Sequence, residues 1–481
     1  MSLTHFYIAT AIPYVNDKPH IGHAMDFVYA DVLARYERLR GATVLFNIGS
    51  DEHGLKIAEK AAEQSMSPKA FSDAIVTKWE EFARSADVSY DRFIRTTSAE
   101  HETRAAIIWK NLSEHIYKGS YEGLYCVGCE TFYTESVAKE NDGVCPHHNR
   151  QYDHIKEENY FFALSSFTAH VRAAIESGQM VIIPASRRNE IMNVLKGGLE
   201  DISISRPKEK VGWGIPVPGD PAHTMYVWYD ALMNYITTLG YPDGADFKTF
   251  WPANVQVIGK DILRFHAAIW PAMLLGLGLP LPKVLYVHGH VSSEGKKMSK
   301  TLGNVIDPIE VIGRHGVDAF RYYLLRHIPS HDDGDFSFDR FETAYNSELA
   351  NELGNSAQRV AAMAVKYLDG VLGDIPEGEH DQGEYHEAIA HCRFDRAMDE
   401  IWEQIRGLNQ YIDTTKPWEI VKTGDQAHIR EVLAYCVSCL NEVATMLAPF
   451  LPTTAAAIEA MFKDGIVTMP PAPLFPRSDS V

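Results

Sequence analysis

Across the first fifty residues, two short apolar runs flank a longer stretch in which apolar positions recur at helical spacing. His5 to Val15 reads as a buried strand, followed by a turn through Asn16, Asp17 and Pro19. From about Gly22 to Arg40, Met25, Val28, Val32, Tyr36 and Leu39 keep helical intervals, and Gly41 supplies a C-terminal stop. Thr43 to Ile48 is a second strand, ending in the polar cluster Gly49, Ser50, Asp51, Glu52, His53, Gly54. Strand, helix, strand with polar residues at the strand ends predicts an open parallel α/β sheet, whose ligands sit beyond the carboxyl ends of the strands.

The pattern then changes twice. From about Tyr117 to Val211, cysteines and aromatics replace long helical runs, as in an inserted segment. Alternation resumes with strands near Met225 to Trp228, Val255 to Ile258 and Val284 to His288, and a helix over Ile262 to Leu275. After about Phe341 the chain is helical to Met461, broken by an acidic, Gly-rich loop from Asp369 to Glu387. No internal repeat is present. The expected fold class is α/β: a Rossmann-like parallel-sheet domain with an insertion, followed by an all-α helical bundle. Its expected boundaries are 1–116 and 212–290 for the two halves of the sheet domain, 117–211 for the insertion, 291–345 for a connecting segment and 346–481 for the bundle.

Composition narrows the classes. With 481 residues, 46% of them hydrophobic and 23% charged, the chain is too long for one core. A formal net charge of -19 speaks against a polyanionic partner. That acidity is concentrated, however: Asp369 to Glu387 holds seven acidic residues and no Lys or Arg. Local basic contacts therefore stay open. The amino terminus has no Lys or Arg before its apolar stretch, and no apolar run of about 18 residues occurs, so a soluble cytoplasmic protein with no membrane partner is expected. Six cysteines are too few for a disulfide framework in a chain of this length.

Three motifs carry candidate chemistry. Cys126-x2-Cys129, then fifteen residues, then Cys145-x2-His148 has the spacing of a tetrahedral Zn2+ site, with His147 an alternative fourth ligand. Cys436-x2-Cys439 lies in an apolar helical run and reads as buried packing. Pro19-His20-Ile21-Gly22-His23 opens the first helix. Its N-terminal N–H groups attract anions, Gly22 permits close approach, and His20 and His23 are placed to donate to phosphate oxygens. Far downstream, Lys296-Lys297-Met298-Ser299-Lys300-Thr301 follows the strand ending His288-Gly289-His290 and suits stabilisation of a transferring phosphate.

His20 to His23 and Lys297 to Thr301 resemble the HIGH and KMSKS signatures of class I aminoacyl-tRNA synthetases, with Thr301 where the signature has Ser. In finer detail the chain resembles the methionyl-tRNA synthetases. The match runs through Ala11-Ile12-Pro13-Tyr14, Asp51-Glu52-His53-Gly54, Cys126 to Glu130, Glu158 to Phe162, Tyr226 to Ala231, Lys260-Asp261-Ile262, Phe265-His266 and Lys416-Pro417-Trp418, covering nearly the whole chain. Synthetases for leucine, isoleucine and valine carry a large editing insertion, for which Tyr117 to Val211 leaves little room. A small-molecule nucleotidylyltransferase also uses a His-x-Gly-His turn but has no need of the helical region. A non-catalytic tRNA-binding paralogue is disfavoured by the retained histidines and lysines.

The resemblance implies methionine, ATP with Mg2+, and initiator and elongator tRNA(Met) as partners. It implies ATP contacts from His20, Gly22, His23, Gly259, His288, Gly289, Lys297, Met298 and Lys300, with His20, His23, Lys297 and Lys300 catalytic. It places Ile12, Tyr14, Trp228, Ala231, Leu232, Tyr235, Ile262 and His266 around the methionine side chain, Asp51 on its ammonium group, and a sulfur hydrogen bond from Tyr14 or His266. Leu232 stands where some relatives have Pro. Zinc falls to Cys126, Cys129, Cys145 and His148. Asn355 and Arg359, one turn apart and on a different helix face from Leu349, Leu353 and Val360, join Trp418 as anticodon contacts. Without the appended C-terminal domain that dimerises some relatives, a monomer is expected.

Overall fold

A computed structural model of the chain describes residues 4–126, 131–133, 138–139, 141–145, 150–298, 303–376, 378 and 381–477. Its contacts divide the chain into two compact units, one of residues 1–19, 42–81 and 90–287, the other of 20–41, 82–89 and 288–481.

The first unit is built on parallel strands. β1 (His5–Thr10), β2 (Thr43–Ser50) and β3 (Arg92–Arg95) pair in parallel, β1 beside β2 and β2 beside β3. β4 (Ile116–Cys126), β5 (Thr131–Tyr133) and β6 (Asp153–Phe162) form an antiparallel sheet, separate from β7 (Val181–Ile183) and completed by β8 (Ile202–Ser203). β9 (Ser205–Pro207), β10 (Pro216–Val217) and β11 (Asp220–Met225) make a three-stranded antiparallel sheet. β12 (Val255–Gly259) lies parallel to β1, and β13 (Val284–His288) parallel to β7, giving one six-stranded order, β3-β2-β1-β12-β13-β7. Tyr7, Ile8 and Ala9 are each fully buried although successive side chains point to opposite faces. Both faces of the sheet are therefore covered, which is why these strands read as continuous apolar runs rather than alternations.

Several expectations need correction. The first strand ends at Thr10 rather than Val15. β7 lies within 117–211 yet completes the main sheet, so that stretch is not wholly an insertion. The expected strand at Met225 to Trp228 ends at Met225, and Val227–Leu232 is a helix. A short apolar run does not distinguish the two by periodicity. The expected helix from Ile262 breaks into a 3-10 turn at Lys260–Ile262, a π-helical turn at Phe265–Ile269 and an α-helix at Trp270–Gly276, with Pro271 in the first turn of the last.

The second unit holds the first helix, Ile21–Leu39, and the helical region. Along Phe394–Thr415, Phe394, Ala397, Met398, Ile401, Trp402, Ile405, Leu408 and Ile412 are buried on one stripe, the amphipathic spacing of a core-facing helix. A helix at Gly383–Ala390 begins inside the expected acidic loop. Arg321, fully buried, joins the first helix to the bundle: its Nη2 lies 2.7 Å from Asp31 Oδ2, and its Nε donates to Phe450 O. Among the described residues no helix is long and apolar enough to cross a membrane.

Candidate active site

In the first unit, the ends of β1 and β2 bring two predicted side chains together. Beyond β1, Asp51 N donates to Pro13 O and Val15 N donates to Asp51 O, so Tyr14 and Asp51 form an isolated parallel bridge. Asp51 is buried. Ile12 sits against Gly49, where a Cβ would lie 2.2 Å from Ile94 O and 3.0 Å from Ile12 Cγ2. Glycine at 49 is what lets Ile12 and β3 close on the strand end.

The helix Val227–Leu232 carries Trp228, Ala231 and Leu232. Trp228 is half-buried and stacks on Phe265, 4.1 Å between ring centroids. Tyr14, Trp228, Ile262 and Phe265 all pack on the apolar cluster that contains Leu232 and Tyr235. Ala231 is buried on the same helix. His266 is buried, its Nδ1 lying 3.0 Å from Ile262 O and its Nε2 2.8 Å from Tyr235 Oη. Burial pulls its pKa down to about 4, against smaller opposing effects of the Ile262 carbonyl and Asp261, so the ring is neutral at pH 7. A carbonyl only accepts, which puts the proton on Nδ1 and leaves Nε2 to accept from the Tyr235 hydroxyl. Both ring nitrogens are thus engaged within the protein, and His266 has no N–H directed to a thioether. Gly259 is buried at the end of β12, just before the Lys260–Ile262 turn.

Sequence reasoning missed a buried polar group next to these residues. Asp230, on the same helix as Trp228, bridges two imidazoles: Oδ2 is 2.7 Å from His53 Nδ1 and Oδ1 2.7 Å from His101 Nε2. All three side chains are buried. Burial alone pushes Asp230 up, but the His53 charge and the hydrogen bonds from both rings outweigh it and bring the carboxyl down to about 2. For His53, burial opposes the charge, yet Asp230, with Glu102 and Glu52 adding, raises its pKa. Beside it, Glu52 accepts from Arg95 Nε and Nη2 at 2.6 and 2.7 Å. The available signal was an acid four residues before Asn234 in an otherwise apolar helix.

In the second unit, His20 caps the first helix. Gly22 N donates to His20 Nδ1 at 3.1 Å, His20 N to His23 Nδ1 at 3.3 Å, and the rings stack 3.8 Å apart. Each Nδ1 is held as an acceptor, so a neutral ring carries its proton on Nε2. A Cβ on Gly22 would meet His20 Cε1 at 2.9 Å, and Met298 Cε lies 3.6 Å from that position. Ile21 N donates to Ile306 O, tying the helix start to the chain beyond the lysine motif. His288 Nε2 is 3.0 Å from Asp26 Oδ1 on the same helix. At Gly289 a Cβ would fall 2.2 Å from Asp332 O, so glycine there serves backbone packing. The lysine motif leaves β14 (Val291–Ser293), which pairs in parallel with β15 (Gly334–Phe336) and whose turn is held by Ser292 Oγ and Gly295 N donating to Asp335 Oδ1. Lys297 is exposed. Lys300 lies outside the described residues.

Cys126 ends β4 and the Cys145 N–H donates to Arg150 O; both cysteines are buried. Cys129 and His148 lie outside the described residues. Cys436 and Cys439 are buried on the helix Gln426–Leu447, and burial pushes the Cys436 thiol up to about 12, as for structural cysteines.

The second unit also brings Arg359 and Trp418 together, the guanidinium 5.2 Å from the ring centroid. Arg359 Nη2 pairs with Asp413 Oδ1 at 2.7 Å, a partner not foreseen. Asn355 is exposed at the start of the helix Asn355–Leu368, one turn before Arg359, while Leu349, Leu353 and Val360 are buried.

A parallel α/β sheet with these strand-end residues, a histidine-capped first helix and a downstream helical region is the architecture of a class I aminoacyl-tRNA synthetase. A family model described as "tRNA synthetases class I (M)" matches residues 6–155 and 149–361, and one for an "Anticodon-binding domain of tRNA ligase" matches 380–477. Methionine–tRNA ligase of Caldanaerobacter subterraneus is 45% identical over 466 residues, spanning 93% of this chain and 72% of the relative. That of Brucella melitensis is 41% identical over 474 residues, 95% and 91% of the two chains. The solved methionyl-tRNA synthetase of Mycobacterium tuberculosis in complex with methionyl-adenylate superposes with a TM-score of 0.93 at 35% identity, covering 99% of this chain and all of that one. The chain belongs to the methionyl-tRNA synthetases, whose reaction is the ATP-dependent joining of methionine to tRNA.

Proposed function

We propose that this chain performs the two-step ligation with the residues assembled above. The carboxylate of methionine attacks the α-phosphorus of ATP, forming methionyl-adenylate and releasing pyrophosphate. The terminal ribose hydroxyl of tRNA(Met), initiator or elongator, then takes the acyl group and AMP leaves. Because the substrate carboxylate is itself the nucleophile, the protein supplies positioning and charge stabilisation, and no Ser or Cys nucleophile is needed. The observation that carries the reading is the buried Asp51 bridged to Tyr14 at the strand ends, on the apolar cluster that also seats Trp228 and Ile262.

In this reading Asp51 pairs the ammonium group. Ile12, Tyr14, Trp228, Ala231, Leu232, Tyr235, Ile262 and His266 enclose the side chain. His20 and His23 donate from Nε2 to the phosphates, and Gly22, Gly259, His288, Gly289 and Met298 supply further ATP contacts. Lys297 and Lys300 neutralise the charge that grows in transfer, with Mg2+ accompanying ATP. Asn355, Arg359 and Trp418 read the anticodon. The donor set of Cys126, Cys129, Cys145 and His148 suits Zn2+, which would act there as a structural ion. The domain layout is 1–116, 117–211, 212–290, 291–345 and 346–481, with β7 returning to the main sheet.

ATP–pyrophosphate exchange across the twenty amino acids tests the assignment. Exchange should depend on methionine, and Asp51→Ala should lower kcat/KM for methionine by at least about a hundredfold, since a charged partner is lost from a buried site. Wild-type exchange in that variant would remove Asp51 from the role. For zinc, Cys145→Ser should release the metal by elemental analysis.

A further inference from the structure

Two separate pieces of chain supply the methionine contacts proposed above: the end of β2, with Asp51, and the helix Val227–Leu232, with Trp228, Ala231 and Leu232. Nothing in their sequence separation fixes one against the other. The side chains that join them are polar and buried. His53, two residues after Asp51, meets Asp230 Oδ2 at 2.7 Å, and Asp230 lies between Trp228 and Ala231 on the helix. The other carboxylate oxygen meets His101, whose Nδ1 lies 2.8 Å from Thr237 Oγ1. The His53 ring is fixed on its remaining sides. It lies edge-on to Trp213, 5.4 Å between centroids, and Nε2 is 3.8 Å from Glu102 Oε1. Gly54, immediately after it, turns the chain at φ 107 and donates to Trp213 O.

We propose that Asp230 is a positioning residue for methionine: by bridging His53 and His101 it holds the Asp51 strand end and the Trp228 helix at the separation one amino acid requires. This rests on the reading that Asp51 and Trp228 bind methionine. Desolvating a carboxylate and two imidazoles is costly, and an apolar trio of equal volume serves stability as well or better. What the ionic bridge adds is direction, since each carboxylate oxygen accepts along a lone pair from one ring on each side. A lighter tie runs parallel to it. Asn47 on β2 lies 3.4 Å from Asn234 Oδ1, Asn234 Nδ2 donates to Ala231 O at 2.7 Å, and Thr238 donates to Asn47 at 2.9 Å. Asp230 touches neither ATP nor a reacting atom in this scheme, so its loss should act on methionine binding alone.

The test is steady-state pyrophosphate exchange with the full chain, comparing wild type, Asp230→Asn, His53→Asn and the double variant. Asp230→Asn keeps the shape but offers one acceptor oxygen where two rings require two. Its KM for methionine should rise about tenfold, with kcat and KM for ATP within about twofold of wild type. His53→Asn should give the same split, and the double variant should be no worse than Asp230→Asn, because both remove one bridge. The proposal is overturned if KM for methionine stays within twofold, if kcat falls as far as KM rises, or if the two effects multiply. If Asp230→Asn does not fold, His53→Asn and His101→Gln carry the same criterion from the two ends of the bridge. Asp51→Ala separates the two readings. Full exchange in Asp51→Ala sinks the pocket assignment, whereas loss there with an unmoved KM in Asp230→Asn sinks only the bridge.

Discussion

The proposed methionine pocket and the proposed anticodon face both rest on an imidazole or a guanidinium held by a carboxylate beside an aromatic ring, yet they are built to different tolerances. In the pocket, Asp230 and its two imidazoles are at most 3% exposed. At the anticodon face, Arg359 and Asp413 have side chains 30% and 65% exposed. A buried ion loses several kcal/mol when its partner is removed, about 3 to 5, while an exposed pair contributes about 0 to 1. One region is fixed by buried partners; the other keeps its polar groups in water, as the proposed reading of RNA bases requires.

That contrast can be broken from either side. The largest effect is expected at the chemical step, outside both regions: Lys300→Ala should lower kcat for adenylate formation by roughly two to three orders of magnitude with little change in KM for methionine, measured by single-turnover kinetics. The reverse pattern would make the lysine a binding group. Next, Trp418→Ala should cut aminoacylation of tRNA by about tenfold or more, a stacking contribution of 1 to 3 kcal/mol, and leave pyrophosphate exchange intact. Equal loss in both assays would show a folding defect instead.

The proposed pocket should also carry a pH signature. His266 is neutral when folded with a pKa near 4, below its unfolded value of about 6.5. The unfolded chain therefore binds the extra proton in that window. The stability His266 contributes is present above about pH 6.5 and is lost as pH falls toward 4, up to roughly 3 kcal/mol. His266→Asn should flatten this part of the dependence of the thermal midpoint on pH, and an unchanged slope would contradict it. The smallest effect is Asp413→Ala, expected to change unfolding free energy by less than about 1 kcal/mol in denaturant titration.

Much of this could be read from residues alone where the signal was local. The first helix was legible because Met25, Val28, Val32 and Tyr36 keep one period over twelve of its nineteen residues, and His20 to His23 mark its start. Val284–His288 was legible because a strand covered on both faces is a bounded apolar run. The helix after Met225 was not, since six residues are too few to separate helical from strand spacing. β7 was hidden because three residues carry no pattern, and only pairing with β13 reveals them as part of the sheet. Proposed pocket residues such as Asp51 and Trp228 were named through family motifs, but Asp230 was passed over within one of those motifs. Its role depends on His53 and His101, 177 and 129 residues away in sequence. Asp413 was missed for the same reason, with Arg359 54 residues distant.

The cap on the first helix has one more implication. Its first turn is closed by the Nδ1 atoms of His20 and His23, the same rings whose opposite edges are proposed to face phosphate. A second proton on either ring would strengthen attraction for an anion and, in the same event, remove the acceptor that shapes the turn. Charge and aim are therefore opposed in these two rings.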